Sequence, residues 1–171
     1  MGSIITYNFQ ETREELFNLV EGLNNGELNA KDSEDHWSIG QICHHLALVE
    51  LATVKAVKWG LKEEKDTKTD PKDISYMLNR SKKFSAPKVV EPGGGPFEVQ
   101  EIVEILTNAR KQLLETINSL EDSAVLKEKS VVHPAFGLLP LHQWVEAVPL
   151  HEQRHVEQIK EILVPNNLTT P

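Results

Sequence analysis

The sequence predicts an all-α four-helix bundle with a long crossover between its second and third helices. Three observations carry this. Four segments repeat apolar residues at about 3.6-residue spacing, polar or Pro- and Gly-rich stretches separate them, and no segment shows the alternation of a half-buried strand. At 171 residues the chain reads as one domain over residues 1–171, long enough to bury a core without disulfides or a structural metal.

The first helix is predicted from Phe9 to Leu23, with Leu16, Val20 and Leu23 inward, and ends in the turn-rich NNGELNAKD. The second opens at Trp37-Ser38-Ile39-Gly40-Gln41. There Ser38 and Gln41 match a capping box, and Trp37 can staple onto Ile42. It runs to Leu61, where KEEKDTKTDPKD breaks the pattern. Residues 62 to 96 form the crossover, with a short helix predicted from Ser75 to Phe84 and a closing EPGGGP. That glycine run lacks the GK[ST] ending of a phosphate loop. The third helix is predicted from Phe97 to Leu120, with Val99, Ile102, Val103, Leu106, Leu113 and Ile117 in the core. EDSAVLKEKSVVHPAFGLLP reads as a loop, and the fourth helix runs from Pro140 or Leu141 to Leu163, ending at Pro165.

Charge and cysteine content exclude several classes. With 26 acidic against 18 basic residues the net charge is -8, which disfavours a surface that tracks nucleic-acid phosphates. Cys43 is the single cysteine, so an internal disulfide is excluded and a reducing, cytoplasmic setting is expected. No run is apolar enough to span a bilayer.

Histidine placement points to chemistry. A turn of about 100 degrees per residue puts Trp144, Val148, His151, His155, Gln158, Ile159 and Ile162 on one face of the fourth helix. On the second helix Ile42, His45, Leu46, Val49 and Thr53 share a face. His142 and His44 point away from these faces, His142 toward solvent, and His36 and His44 read as structural. A lone inward histidine is ordinarily a hydrogen-bonded core residue. Three among apolar neighbours are costly to desolvate, and a divalent metal resolves the cost, because neutral imidazole is a common ligand and a pair at i and i+4 reaches one ion. His45, His151 and His155 would leave coordination positions open, as catalytic sites do.

These pieces also resemble a family. W-S-x-x-Q-x-x-x-H-L (Trp37, Ser38, Gln41, His45, Leu46) and H-x-x-x-H-x-x-Q (His151, His155, Gln158) resemble motifs of the DinB-like superfamily, which includes the YfiT-type metal-dependent hydrolases. HPAFGLLPLHQW, residues 133 to 144, is similar to a segment of one uncharacterised DinB-like subgroup. The resemblance implies an up-down-down-up bundle, often a homodimer, with a divalent metal held by His45, His151 and His155. Zinc or nickel is the first expectation, with iron or manganese next. Gln41, His133 and Gln158 are candidates to support the histidines or to contact substrate, whereas Gln41 has its capping role as the simpler explanation. Pro149, inside the fourth helix, removes a hydrogen bond and crowds the carbonyl of Val145, so a bend is expected there. Pro140 stands where the subgroup often carries a Ser or Thr cap.

An open three-histidine metal site can lower the pKa of a bound water for hydrolysis or of a thiol for transfer. Similar proteins include transferases and isomerases that use low-molecular-weight thiols. Thiol-dependent S-transfer or a related detoxification step is therefore the expected function, on a small-molecule substrate. The alternatives are a metal-dependent hydrolase and a non-catalytic metal-binding or structural bundle. Cys43, away from His45 and without cationic neighbours in sequence, is not expected to be a nucleophile.

Overall fold

The computed structural model describes the backbone of residues 2–167 and the side chains of residues 8–164. Four long helices form the bundle: α1 (Gly2–Val20), α3 (Ile39–Lys62), α4 (Val99–Asn118) and α6 (Leu141–Asn167). Short α2 (Asn25–Asn29) and α5 (Val125–Glu128) and a hairpin of β1 (Ser130–His133) and β2 (Gly137–Pro140) complete it.

Paired contacts give the directions. Arg110 of α4 donates to the Phe9 carbonyl of α1 while Arg13 donates to that of Leu106, so these helices are antiparallel. Gly40 lies against Phe97 and Glu50 against Arg110, so α3 and α4 are parallel. His45 meets His151 and Gly60 meets Leu141, so α3 and α6 are antiparallel. The topology is up-down-down-up.

The start of α3 is fixed as its sequence requires. Ser38 and Gln41 exchange side-chain and backbone hydrogen bonds of 3.1 Å each. Gly60 permits a close approach of α3 to the hairpin and to α6, because a Cβ there would stand 2.8 Å from Val131 and 3.0 Å from Leu141.

Several expectations need correction. The stretch NNGELNAKD is not a plain turn: Asn24 and Glu27 build a capping box for α2, whose Asn25 and Asn29 accept the backbone N–H groups of Val99 and Phe97. This pairing moves the start of α4 to Val99. Helix α1 begins at Gly2 and ends at Val20. The short helix expected over 75–84 is one 3-10 turn, Ser75–Leu78. The segment read as a loop before the last helix holds the hairpin; its four-residue strands each carry too few residues to display alternation, and Gly137, at φ 68, supplies the turn. Pro140 ends β2 and α6 starts at Leu141, where the Leu141 N–H continues the hairpin by donating to the Lys129 carbonyl at 2.9 Å. Helix α6 continues through both Pro149 and Pro165. His142 is half-buried with its Nδ1 enclosed, not solvated, because the crossover packs on the first turn of α6 through paired bonds between Gln143 and the backbone of Lys72.

The apolar core has two halves. Phe9, Val54, Leu113 and Val148 belong to one; Leu16, Leu46, Leu106 and Val156 belong to the other. Between them lies a layer of four buried charges, one from each long helix: Arg13, Glu50, Arg110 and Glu152. Arg13 donates to Glu50 and, at 2.8 Å, to Glu152. Arg110 donates to Glu50 at 2.8 and 3.0 Å and to Glu152 at 3.0 Å, and Thr12 adds a 2.6 Å bond to Glu152. Burial pushes the Glu152 carboxyl upward, but the two guanidiniums outweigh it and hold it below the usual carboxylate range. Removing one member strands a buried charge, so Arg110→Met is expected to cost about 3–5 kcal/mol in urea unfolding. A loss below about 1 kcal/mol would show that the layer does not hold the helices together.

Candidate metal centre

His45 comes from the second turn of α3, and His151 and His155 come from successive turns of α6. One ring nitrogen from each lies within 4.8 Å of the other two. The Nε2 of His151 is 3.2 Å from that of His45 and 3.1 Å from that of His155. The ring centroids of the three are 4.5 to 5.1 Å apart.

The second nitrogens show which way the protons point. His45 Nδ1 lies 2.7 Å from the Val90 carbonyl, so it carries the N–H and leaves Nε2 a bare lone pair. His155 Nδ1 lies 2.8 Å from the amide oxygen of Gln158, with the same result. Two lone pairs thus face the single hydrogen that neutral His151 can offer at Nε2. One of the two short contacts has no hydrogen in it.

Protonation is a poor remedy. Burial pushes all three imidazoles toward the neutral form: His45 is lowered, His151 is lowered well below its ordinary value, and His155 is lowered to about 3, with the charge of His45 the next cause there. A cation shared among the three nitrogens removes the conflict. Nitrogens about 2.0–2.1 Å from a tetrahedral zinc stand about 3.3 Å apart, close to the 3.2 and 3.1 Å that separate His151 from His45 and His155. The donor set fits a divalent metal.

The other candidates separate. Gln158 touches the cluster through His155. Gln41 does not bond to it; its amide caps α3 and reaches the Gly93 carbonyl at 3.2 Å. His133, in β1, packs edge-on against Trp144 with centroids 4.5 Å apart, and its Nδ1 accepts the Ala135 N–H at 3.0 Å. Burial lowers its pKa to about 4. His44 accepts the Gly93 N–H at 3.0 Å and His36 pairs with Asp32 at 2.8 Å, structural roles in both cases. Cys43 is fully buried, and burial pushes its thiol up to about 12, which removes it as a nucleophile. Val90 was invisible to sequence reasoning because it contributes a carbonyl. The four charges of the buried layer were legible in principle, since each interrupts an apolar stripe: Phe9-Arg13-Leu16, Leu46-Glu50-Val54, Leu106-Arg110-Leu113 and Val148-Glu152-Val156.

A four-helix bundle that gathers three imidazoles at one point defines a class of small helical proteins with a candidate three-histidine metal site. The chain belongs to the DinB superfamily, whose sequence profile matches residues 8–159. It is 31% identical over 154 residues to the uncharacterized protein YuaE of Bacillus subtilis (strain 168), covering 90% of this chain and 94% of that one. Its fold is similar to the crystal structure of TT2238, a four-helix bundle protein, with a TM-score of 0.64 and 18% identity over 94% of this chain and 99% of that one. Among the described residues no helix is long and apolar enough to cross a membrane.

His155 titrates at about 6.5 when unfolded and at about 3 when folded. Between those values the unfolded chain binds a proton that the folded chain does not, so stability is complete above the unfolded value and falls as pH falls. Metal-free protein is expected to lose about 2 kcal/mol of unfolding free energy through His155 alone between pH 7 and pH 5. His155→Gln should flatten the urea-measured pH profile by that amount; parallel profiles would contradict the assignment.

Proposed function

We propose that His45, His151 and His155 hold a divalent metal ion and that the protein is a metal-dependent enzyme for a small molecule, with thiol-dependent S-transfer or a related detoxification step as its reaction. The observation that supports this most strongly is the convergence of three neutral Nε2 atoms with one hydrogen too few. Zinc and nickel suit such an all-imidazole set, and iron or manganese is compatible with it. When bound, the ion supplies a positive charge that favours the anionic form of a thiol or of water near neutral pH.

The protein's own residues prepare the site. Val90 and Gln158 each accept an Nδ1 proton and so aim a lone pair inward. Burial keeps the imidazoles neutral, the state that binds metal. In His133 the Ala135 N–H occupies Nδ1, so the ring proton resides on Nε2, which makes this residue a hydrogen-bond donor available to substrate.

Two outcomes are expected. Adding the cognate ion to metal-free protein at a hundred times its Kd should stabilise it by about 2.7 kcal/mol. His151→Ala and His155→Ala should abolish the accompanying rise in melting temperature, and His142→Ala should keep it; an equal response in all three would rule out the assignment. Loaded protein given small thiols and an electrophile such as a chlorinated aromatic or an epoxide should show turnover that chelation and His45→Ala both remove. Turnover of esters or amides without thiol would instead identify a hydrolase.

A further inference from the structure

The crossover is docked on the same two helices that carry the histidines. At one end Arg154, the residue before His155, donates to the carbonyls of Met77, Asn79 and Lys82 at 2.6 to 3.0 Å. At the other end His45 itself holds the Val90 carbonyl, while His44 and Gln41 hold Gly93. The strap from Lys82 to Val90 therefore runs from the helix turn of His155 to His45, and its anchors bracket the cluster.

Its charge is opposite to that of the chain. Residues 74 to 90 contain Arg80, Lys82, Lys83 and Lys88 and no acid, in a protein of net charge -8. Glu161 neutralises Arg80. Among the described residues no carboxylate forms an ion pair with Lys82, Lys83, Lys88 or Arg154; Arg154 spends its donors on neutral carbonyls, Lys82 lies 4.8 Å above the Tyr76 ring, and the three lysines are exposed. Nearby Glu50 and Glu152 are consumed by Arg13 and Arg110. The groups that orient the imidazoles are also neutral, a backbone carbonyl and an amide, so neither of them offsets the charge of a bound cation.

We infer that the small molecule taken by the three-histidine site is an anion, with a carboxylate, phosphate or sulfonate group remote from its reacting atom and laid against the cationic strap. This rests on the proposed metal site. Fields of one sign beside a site raise both capture rate and affinity for the opposite charge, and salt weakens them.

The test uses cobalt-loaded protein and two thiols that differ in their remote end, mercaptoethanesulfonate and mercaptoethanol, titrated by the change in the cobalt absorption spectrum. Sulfonate is a poor metal ligand, so chelation does not imitate the effect. The sulfonate is expected to bind at least about tenfold more tightly at low salt, and the preference should shrink in high salt. It should also shrink in Lys82→Ala/Lys83→Ala/Lys88→Ala, whose sites are exposed and whose fold is checked by circular dichroism. Equal affinities in the wild type, or a full preference retained by the triple variant, would overturn the inference and leave the metal site standing. Failure to take up cobalt would overturn the proposed function and this inference with it.

Discussion

The bundle is organised around a layer of two arginines and two glutamates that crosses its apolar core. Each long helix contributes one charge, and the layer satisfies itself only when all four helices share one height and one rotation. Apolar side chains above and below supply most of the stabilisation but tolerate sliding, since burial is non-directional. Bidentate guanidinium contacts do not tolerate it. On this account the layer contributes specificity of register more than net stability, the role for which buried ion networks are best suited.

That register matters to the histidines. Glu152 follows His151 directly, and Glu50 lies a little over one turn beyond His45. Fixing Glu50 and Glu152 against common arginines sets α3 against α6 to within a fraction of a turn, which brings three Nε2 atoms together from two helices. The crossover then completes the site from outside through Val90. The centre thus depends on a rigid pair of helices and a single carbonyl on a connecting segment, with the carbonyl fixing which nitrogen of His45 is free.

Much of this was legible in the residues. The helical period located four long helices, the Ser38 and Gln41 pair marked the start of α3, and the helix faces singled out His45, His151 and His155. What escaped had physical causes. The hairpin strands are too short for a period of two to register. Helix α2 rests on one asparagine cap and on side-chain bonds to residues about 70 positions away, which local pattern does not encode. A lone charge on an apolar stripe normally sits at its edge, so no single residue marks the charged layer; the signal is four such interruptions, two of each sign, on four helices. His142 was misplaced because helix periodicity describes one helix and says nothing about what a crossover lays on its other side.

The central claim is that three imidazoles from α3 and α6 share one divalent ion through Nε2. X-ray absorption on zinc-loaded protein, prepared without a histidine tag, tests this directly. The account predicts one zinc per chain with three imidazole nitrogens at about 2.0–2.1 Å, reduced to two imidazoles in His45→Ala. A first shell of oxygens without imidazole scattering, or an unchanged spectrum in that variant, would contradict it.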